Sequence, residues 1–445
     1  MPCPHTKEII AQVLMDTMNM FNITEKISSV VVDNCTTNDA MINILQERLD
    51  SRSLLLHGKF LHVRCSAHIL NLVVQDGLEV IGPGIERIRN CVLFWTSTPK
   101  RVEKFEDKAR GLKIDCSRKL VLDCKTRWNS TYLMLVSALP YREVFSKLKI
   151  QNPRFKFVVP NDLDWELAET ICDKLKVFHD VTELFSGRKY PTINLFFRYI
   201  CDIKVRLNSW LSNEEQIVKD MALKMKDKFD KYWSTINVVL AIAAILDPRD
   251  KLACVEFYFE VIYGDEAFSE VQRIKTFLYD LLMEYQGCSE DYVSSTFDVL
   301  GKRQAVVYPS IPPTTQSKST MWGEAKKTQK KKTNVRTELD YYLDDDPYPN
   351  SLGFDVLHFW KLDPKYPTLK KIARDILAIP ASTVASESAF STGGRVLSPH
   401  RSSLHFDTVE ALMCLQNWIV GEYSGNNKLP FIFCNYVNYL TYFNL

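Results

Sequence analysis

The sequence predicts an α/β layer over residues 1–145, followed by predominantly helical segments. Three observations carry that reading. Short β-branched runs alternate with apolar-periodic stretches up to about residue 140. Long amphipathic stripes replace them from about 160 to 300, and helical segments resume near 350 after a polar gap. Strands alternating with helices imply helices layered on a sheet. The 445 residues are 46% hydrophobic and 25% charged, with 24 Phe, 19 Tyr and 8 Trp, as expected of a folded chain. That length accommodates roughly two to four domains.

The elements follow in order. Thr6 to Phe21 reads as a helix with Ile9, Ile10, Val13, Leu14 and Met18 on one face, and Asp16 lies within it. Ile27 to Val32 is a β-branched run that ends at Asp33, as a buried strand does. Asp33-Asn-Cys-Thr-Thr-Asn-Asp39 is rich in capping residues and leads to a helix through Met41, Ile44, Leu45 and Leu49. A second strand, Lys59 to Arg64, passes through Cys65-Ser-Ala-His68 into a helix carrying Ile69, Leu72, Val73 and Val74. A third strand is expected at Lys119 to Leu122, leading through Asp123 and Arg127-Trp128-Asn129-Ser130 into a helix at Thr131 to Ala138.

Residues 146–300 form the helical segment. Ile217, Met221, Met225, Phe229 and Trp233 recur every four residues, and Trp165, Ala168, Ile171, Leu175 and Phe178 form a second stripe; both are core faces. Asp247-Pro248 ends a helix running from Ile236 to Leu246, because proline disfavours helix for the residue before it. Residues 301–338 read as a disordered basic linker, with Lys326, Lys327, Lys330, Lys331, Lys332 and Arg336, and an acidic run Asp344-Asp-Asp346 follows. Helices are expected again at Phe354–Trp360, Leu369–Ile379, Thr383–Ser391 and Thr408–Ile419, within a segment 339–425 ahead of a tail, 426–445.

Composition narrows the function classes. The net charge is +2, so any nucleic-acid surface must be local. The 12 cysteines are scattered without a small-domain disulfide rhythm and read as reduced thiols. No apolar run approaches the roughly 20 residues that span a bilayer. Met1-Pro-Cys-Pro-His-Thr6 lacks the basic-then-apolar pattern of a secretory signal, which leaves cytosol or nucleus as the expected location.

Four motifs carry chemistry, each with two readings. Asp33 stands where α/β folds place functional carboxylates, at the C-terminal end of a buried strand, and it equally suits a helix cap. Cys65-x-x-His68 has metal-ligand spacing without a second pair nearby, so no zinc site is expected; a buried cysteine at a helix start is the alternative. Arg127 and Trp128 combine a guanidinium with an aromatic face, which suits a phosphate and an unstacked base. They equally suit a packed corner with an arginine pairing Asp123. Glu387, in Ala385-Ser-Glu-Ser-Ala-Phe390, reads either as a metal-facing or as a surface helix residue.

In this order and spacing, Asp33-Asn34, Cys65-x-x-His68 with Leu70-Asn71, Thr126-Arg127-Trp128-Asn129-Ser130 and Ala385-Ser386-Glu387-Ser388-Ala389-Phe390 closely resemble the hAT superfamily of transposases, of the plant RICESLEEPER type. The tract from Tyr366-Pro367 to Trp418-Ile419 is similar to that family's C-terminal dimerisation region. The resemblance implies an RNase H-like domain interrupted by an α-helical insertion and followed by the dimerisation region. It implies that Asp33 and Glu387 are two of three acidic residues holding Mg²⁺ or Mn²⁺ for attack on a phosphodiester. Cys65, His68, Arg127 and Trp128 match the family's DNA-handling motifs, with the tryptophan serving a flipped base. The expected partners are DNA and a second copy of the chain, in the nucleus.

The family's first acidic residue lies on an opening strand, and a BED zinc finger lies further upstream. Neither pattern is found before Asp33, so the reading expects a truncated RNase H-like domain without autonomous cleavage. An active transposase or nuclease is the alternative if the gene product supplies those parts. Asp123 is the internal carboxylate considered as a substitute. Self-association is expected through Leu369, Ile372, Ile376, Leu412, Leu415 and Trp418.

Overall fold

The computed structural model describes residues 6–150, 158–185, 190–287, 336–349, 351, 353–384 and 387, together with 404–405, 407–409 and 411–415. The 301–335 part of the expected linker, Trp418 and the 426–445 tail lie outside the described residues, as does most of the Thr383–Ser391 helix.

Helix α1 (Lys7–Met20) begins where the Thr6 hydroxyl accepts the Ile9 amide. Strand β1 (Val30–Val32) follows, then α2 (Thr36–Arg48) and β2 (His62–Arg64). The strands pair in parallel, Val30 opposite His62, Val31 opposite Val63 and Val32 opposite Arg64. Two further bonds extend the ladder, from the Val30 amide to the Leu61 carbonyl (2.6 Å) and from the Cys65 amide to the Val32 carbonyl (2.8 Å). Alternation along β1 splits the core in two. Val30 and Val32 join Ile10, Leu14, Met18, Met41 and Leu45 under α1 and α2. Val31 and Val63 join the large core beneath the remaining helices.

Helix α3 (Ser66–Leu78) leaves β2 at Cys65, and α4 (Gly82–Thr96) and α5 (Pro99–Gly111) follow. The sequence reading passed over α4 and α5, although Pro83 and Pro99 occupy the first helical turns where proline is favoured. The strand expected at Lys119–Leu122 is not formed. Those residues are coil, with Val121 47% and Leu122 40% exposed. The Val121 amide donates to the Ser137 hydroxyl (3.2 Å) on α6 (Trp128–Ala138) rather than to a neighbouring strand. Among the described residues the sheet has two strands.

The body continues with α7 (Arg142–Ile150), α8 (Asp162–Phe185), α9 (Ile193–Trp210), α10 (Gln216–Ile245), α11 (Lys251–Tyr263) and α12 (Ala267–Tyr285). The stripe ending at Trp233 and the helix ending at Leu246 are one 30-residue helix, α10, which packs on α3 and α9. It stops at Leu246, before Asp247-Pro248, as expected.

Three short helices follow, α13 (Glu338–Asp344), α14 (Val356–Leu362) and α15 (Pro367–Leu377), and residues 407–409 and 411–415 are helical as well. Thr337 and Asp340 form a reciprocal capping box at the start of α13. These helices satisfy backbone groups at the end of α10. The Tyr342 hydroxyl donates to the Ile245 carbonyl (2.9 Å) and the Trp360 indole to the Leu246 carbonyl (2.8 Å). One continuous apolar core runs from Val31 to Ala381. Leu369, Ile372 and Ile376 are fully buried within it, which corrects the expectation that they offer a surface to a second copy. Leu412 and Leu415 remain 39% and 47% exposed.

Candidate functional site

The parallel strands bring their C-terminal ends level, and Asp33 and Cys65 follow them there. Asp33 follows β1, half-buried, with Oδ1 accepting the side-chain amide of Asn38. Asn38 is 4% exposed in the first turn of α2, so this bond fixes the direction of the carboxylate. Next to it, Arg64 at the end of β2 donates to Asn34 (3.4 Å) and pairs with Asp39 (3.0 Å).

Cys65 joins the strands to the distant part of the chain. Its amide closes the ladder on Val32, and its buried Sγ accepts the His68 amide (3.4 Å), capping α3. The same sulfur meets the amide (3.3 Å) and hydroxyl (3.1 Å) of Thr383, 318 residues away in sequence. The Ser66 amide donates to the Ala381 carbonyl (3.0 Å), a second clasp between the same segments. Burial pushes the Cys65 thiol up, against the bonds from Thr383, and the nearby Glu387 carboxylate adds to the rise. It is therefore a neutral structural thiol at ordinary pH.

Thr383 in turn holds Glu387, its hydroxyl 3.1 Å from Oε1 and its carbonyl accepting the Glu387 amide (3.0 Å). Glu387 is exposed, so its carboxylate faces solvent. Cys65, Thr383 and Glu387 thus form one chain of contacts, and Cys65 is bonded through its amide to Val32, the residue before Asp33. His68 contributes its backbone amide to the cap. The Cys-x-x-His spacing here makes a helix start, which is the alternative the sequence left open.

The Arg-Trp pair divides between surface and core. Arg127 is exposed, at the N-terminus of α6. Trp128 is 3% exposed, its ring centroid 6.3 Å from that of Tyr132 and 6.4 Å from that of Phe178, and its amide donates to Asn71 on α3 (3.1 Å). The Trp128 ring thus packs into a core corner against Tyr132 and Phe178, the alternative that the sequence left open.

The substitute role considered for Asp123 is corrected. Its side chain has no exposed surface and is gripped by Arg89, Nε at 2.8 Å and Nη2 at 2.7 Å, and by the Thr131 hydroxyl at 2.7 Å. Burial alone would raise its carboxyl, but these donors hold it below the usual range. A carboxylate so neutralised is a poor metal ligand. Sequence reasoning missed Asn38, Thr383 and Arg89. Thr383 was legible, four residues before Glu387 and so on the same helical face; Arg89 was not, since α4 went unseen.

Among the described residues, no three His, Cys, Asp or Glu side chains group to hold a metal ion. Mg²⁺ binds through one or two carboxylates and several waters, whereas a two-ion centre needs more acidic ligands. The described donor set does not fit a two-ion centre. No helix of the described residues is long and apolar enough to cross a membrane.

A parallel strand pair followed by Asp33 and Cys65, with helices packed around it, agrees with the RNase H-like class of transposase-like proteins that the sequence comparisons give. Four family models match in sequence: the ZBED1 RNase-like domain over residues 1–60, the ZBED1 RNase-like helical domain over 63–174, hAT-like transposase, RNase-H fold, over 194–285, and the hAT family C-terminal dimerisation region over 338–419. The chain belongs to the hAT family of transposase-like proteins. It is 37% identical over 430 residues to the Zea mays protein named "Putative AC transposase", covering 96% of this chain and 52% of that protein. It is 35% identical over 429 residues to zinc finger BED domain-containing protein RICESLEEPER 1 of Oryza sativa subsp. japonica, covering 94% and 59%. Against DAYSLEEPER of Arabidopsis thaliana it is 29% identical over 420 residues, covering 94% and 58%. The chain thus spans between 52% and 59% of the length of these relatives.

Proposed function

We propose that this chain is a transposase-derived nuclear protein that contacts DNA beside the strand ends and self-associates through residues 338–419. The observation that carries the reading is the Cys65–Thr383–Glu387 chain of contacts, which returns Glu387 to the edge where Asp33 ends β1. Asp33 and Glu387 are the family's metal-binding carboxylates by motif, and Arg127 lies exposed at the start of α6, which Asn71 ties to α3.

Residues 1–445 bind DNA without cutting it in this reading. Two-ion chemistry depends on acidic residues fixing both ions, and Asp123, the internal candidate for a further ligand, is committed to Arg89. The test incubates the purified chain with nicked and hairpin-ended DNA and Mg²⁺ or Mn²⁺, beside a Glu387→Gln control. Binding without product is the expected result. Metal-dependent cutting that vanishes in Glu387→Gln would establish the rival reading, an active transposase or nuclease. For self-association, light scattering should give a mass near twice that of the chain, and a monomer at micromolar concentration would contradict it. The exposed Leu412 and Leu415 are the first residues to substitute there.

A further inference from the structure

The coil between α5 and α6, predicted as a strand, is a built surface. From residue 114 to 124 it forms neither helix nor strand, yet α6 and the turn after it secure it at successive points. The Cys124 amide donates to Ser130 Oγ (2.8 Å), and the Val121 amide to Ser137 Oγ (3.2 Å). The Thr131 hydroxyl donates to Asp123 (2.7 Å), and the Tyr141 hydroxyl to the Arg118 carbonyl. The spacings agree. Three extended residues, 121 to 124, cover about 10 Å, as do the seven helical residues from 130 to 137. The coil therefore runs antiparallel to α6 at extended pitch.

What this coil presents is positive. Arg118, Lys119, Lys125 and Arg127 are all exposed. Of the acidic groups beside them, Asp123 is neutralised by Arg89, whereas Asp115, bonded to the Ser117 hydroxyl (2.6 Å), keeps its charge at the start of the coil. Glu86 pairs with Arg89 and, at 3.3 Å, with Lys125. Gln75 on α3 donates to the Thr126 carbonyl (2.8 Å) and Asn71 accepts the Trp128 amide (3.1 Å), so the coil's end is tied to α3. Asn71 stands six residues, about 9 Å, along α3 from Cys65 and the carboxylate edge.

We propose that the Arg118–Arg127 coil is a docking track for the sugar-phosphate backbone of duplex DNA, leading toward the Asp33–Glu387 edge. This rests on the reading that the chain binds DNA, and goes beyond it by naming the surface. After the bend at Ser117 and Arg118, Lys119 to Cys124 reaches at most about 17 Å at extended pitch, which matches on the order of five phosphates at 3.4 Å per strand. A side-chain-pinned coil holds its cations at fixed spacing, which suits a regular polyanion better than a flexible acidic peptide.

The test measures binding of a random-sequence 30-base-pair duplex by fluorescence anisotropy from 50 to 300 mM salt. Wild type is compared with R118Q/K119Q/K125Q and with K224Q/K231Q/K361Q, which removes equal charge elsewhere. The track variant should weaken binding roughly 10- to 100-fold at 100 mM salt and flatten the log–log salt slope by about 2–3, near 0.9 per lost phosphate contact. The control triple should match wild type. S137A/Y141F, which loosens the coil and keeps its charge, should weaken binding several-fold with the slope unchanged. Equal slopes in the track and control variants would overturn the track while leaving DNA binding intact. Wild type that binds no duplex would overturn the DNA reading itself, and the track with it. Competition by poly-aspartate as effective as by duplex would overturn the assignment to a phosphate backbone.

Discussion

Arg89 and Asp123 illustrate how single residues here are set by partners rather than by type. The Asp123 side chain is wholly enclosed and the Arg89 side chain is 14% exposed, so removing the guanidinium leaves a buried charge with its ion partner gone. Arg89→Met should cost about 3–5 kcal/mol in chemical denaturation, and Arg89→Met/Asp123→Leu much less, because the double change removes both charges. A single substitution as mild as the double would mean that the pair is solvated. A second residue offers a pH test. Burial pushes the Asp250 carboxyl from 3.8 up to about 6, Arg198 opposing and Asp247 adding, and its Oδ2 meets no donor among the described residues. A raised folded pKa means that the native state holds the proton more tightly. That contribution is full below about pH 4 and is lost as pH rises through 6. Relative to Asp250→Asn, wild type should gain on the order of 2–3 kcal/mol of stability between pH 8 and pH 4. A difference independent of pH would show that Asp250 is ionised throughout.

At the scale of elements, Gly77 on α3 lets α10 approach closely. A Cβ on Gly77 would sit 2.5 Å from Met225 Cγ, 2.6 Å from its Sδ and 3.1 Å from Met221 Cγ. Alanine is the better helix former by about 1 kcal/mol, which favours Gly77→Ala, but overpacking costs about 1–3 kcal/mol. The clash should win because the Met225 and Met221 side chains are fully buried and have little room to move. Urea denaturation should show Gly77→Ala destabilised and Gly77→Val more so. A stabilised alanine variant would mean that Met225 repacks. The element that sequence misassigned, residues 119–122, fails as a strand for a related reason. The Ser137 hydroxyl captures the Val121 amide, and the described sheet ends at two strands.

At the scale of the whole molecule, residues 338–381 are part of the core rather than an appended module. Tyr342 and Trp360 cap the last carbonyls of α10, Tyr285 on α12 donates to Asp375 (2.6 Å), and the buried Lys251 ammonium donates to the carbonyls of Tyr342 (2.9 Å) and Asp345 (2.8 Å). A chain ending at residue 300 exposes those carbonyls and the apolar face beneath α15. It should be poorly soluble, with a melting transition lowered by at least 10 °C or absent. Co-expressed residues 336–445 should restore a native transition. A shortened chain that melts like the full one would show that the segment is dispensable for folding.

The sequence by itself determined the helices with strong apolar period, the strand ending at Asp33 and the order of motifs that places the chain in its family. These are local signals, written in side-chain periodicity and capping residues. The tertiary structure decided which side of each ambiguity prevailed. Trp128 went to the core because Tyr132 and Phe178 cover its ring, and Cys65 became a clasp because Thr383 arrives from 318 residues away. Leu369, Ile372 and Ile376 were legible as apolar, yet only packing decided that α10 and α12 cover them and leave Leu412 and Leu415 to solvent. Apolar pattern encodes the need for burial; the partner that supplies it is a long-range contact, fixed only when the chain closes on itself.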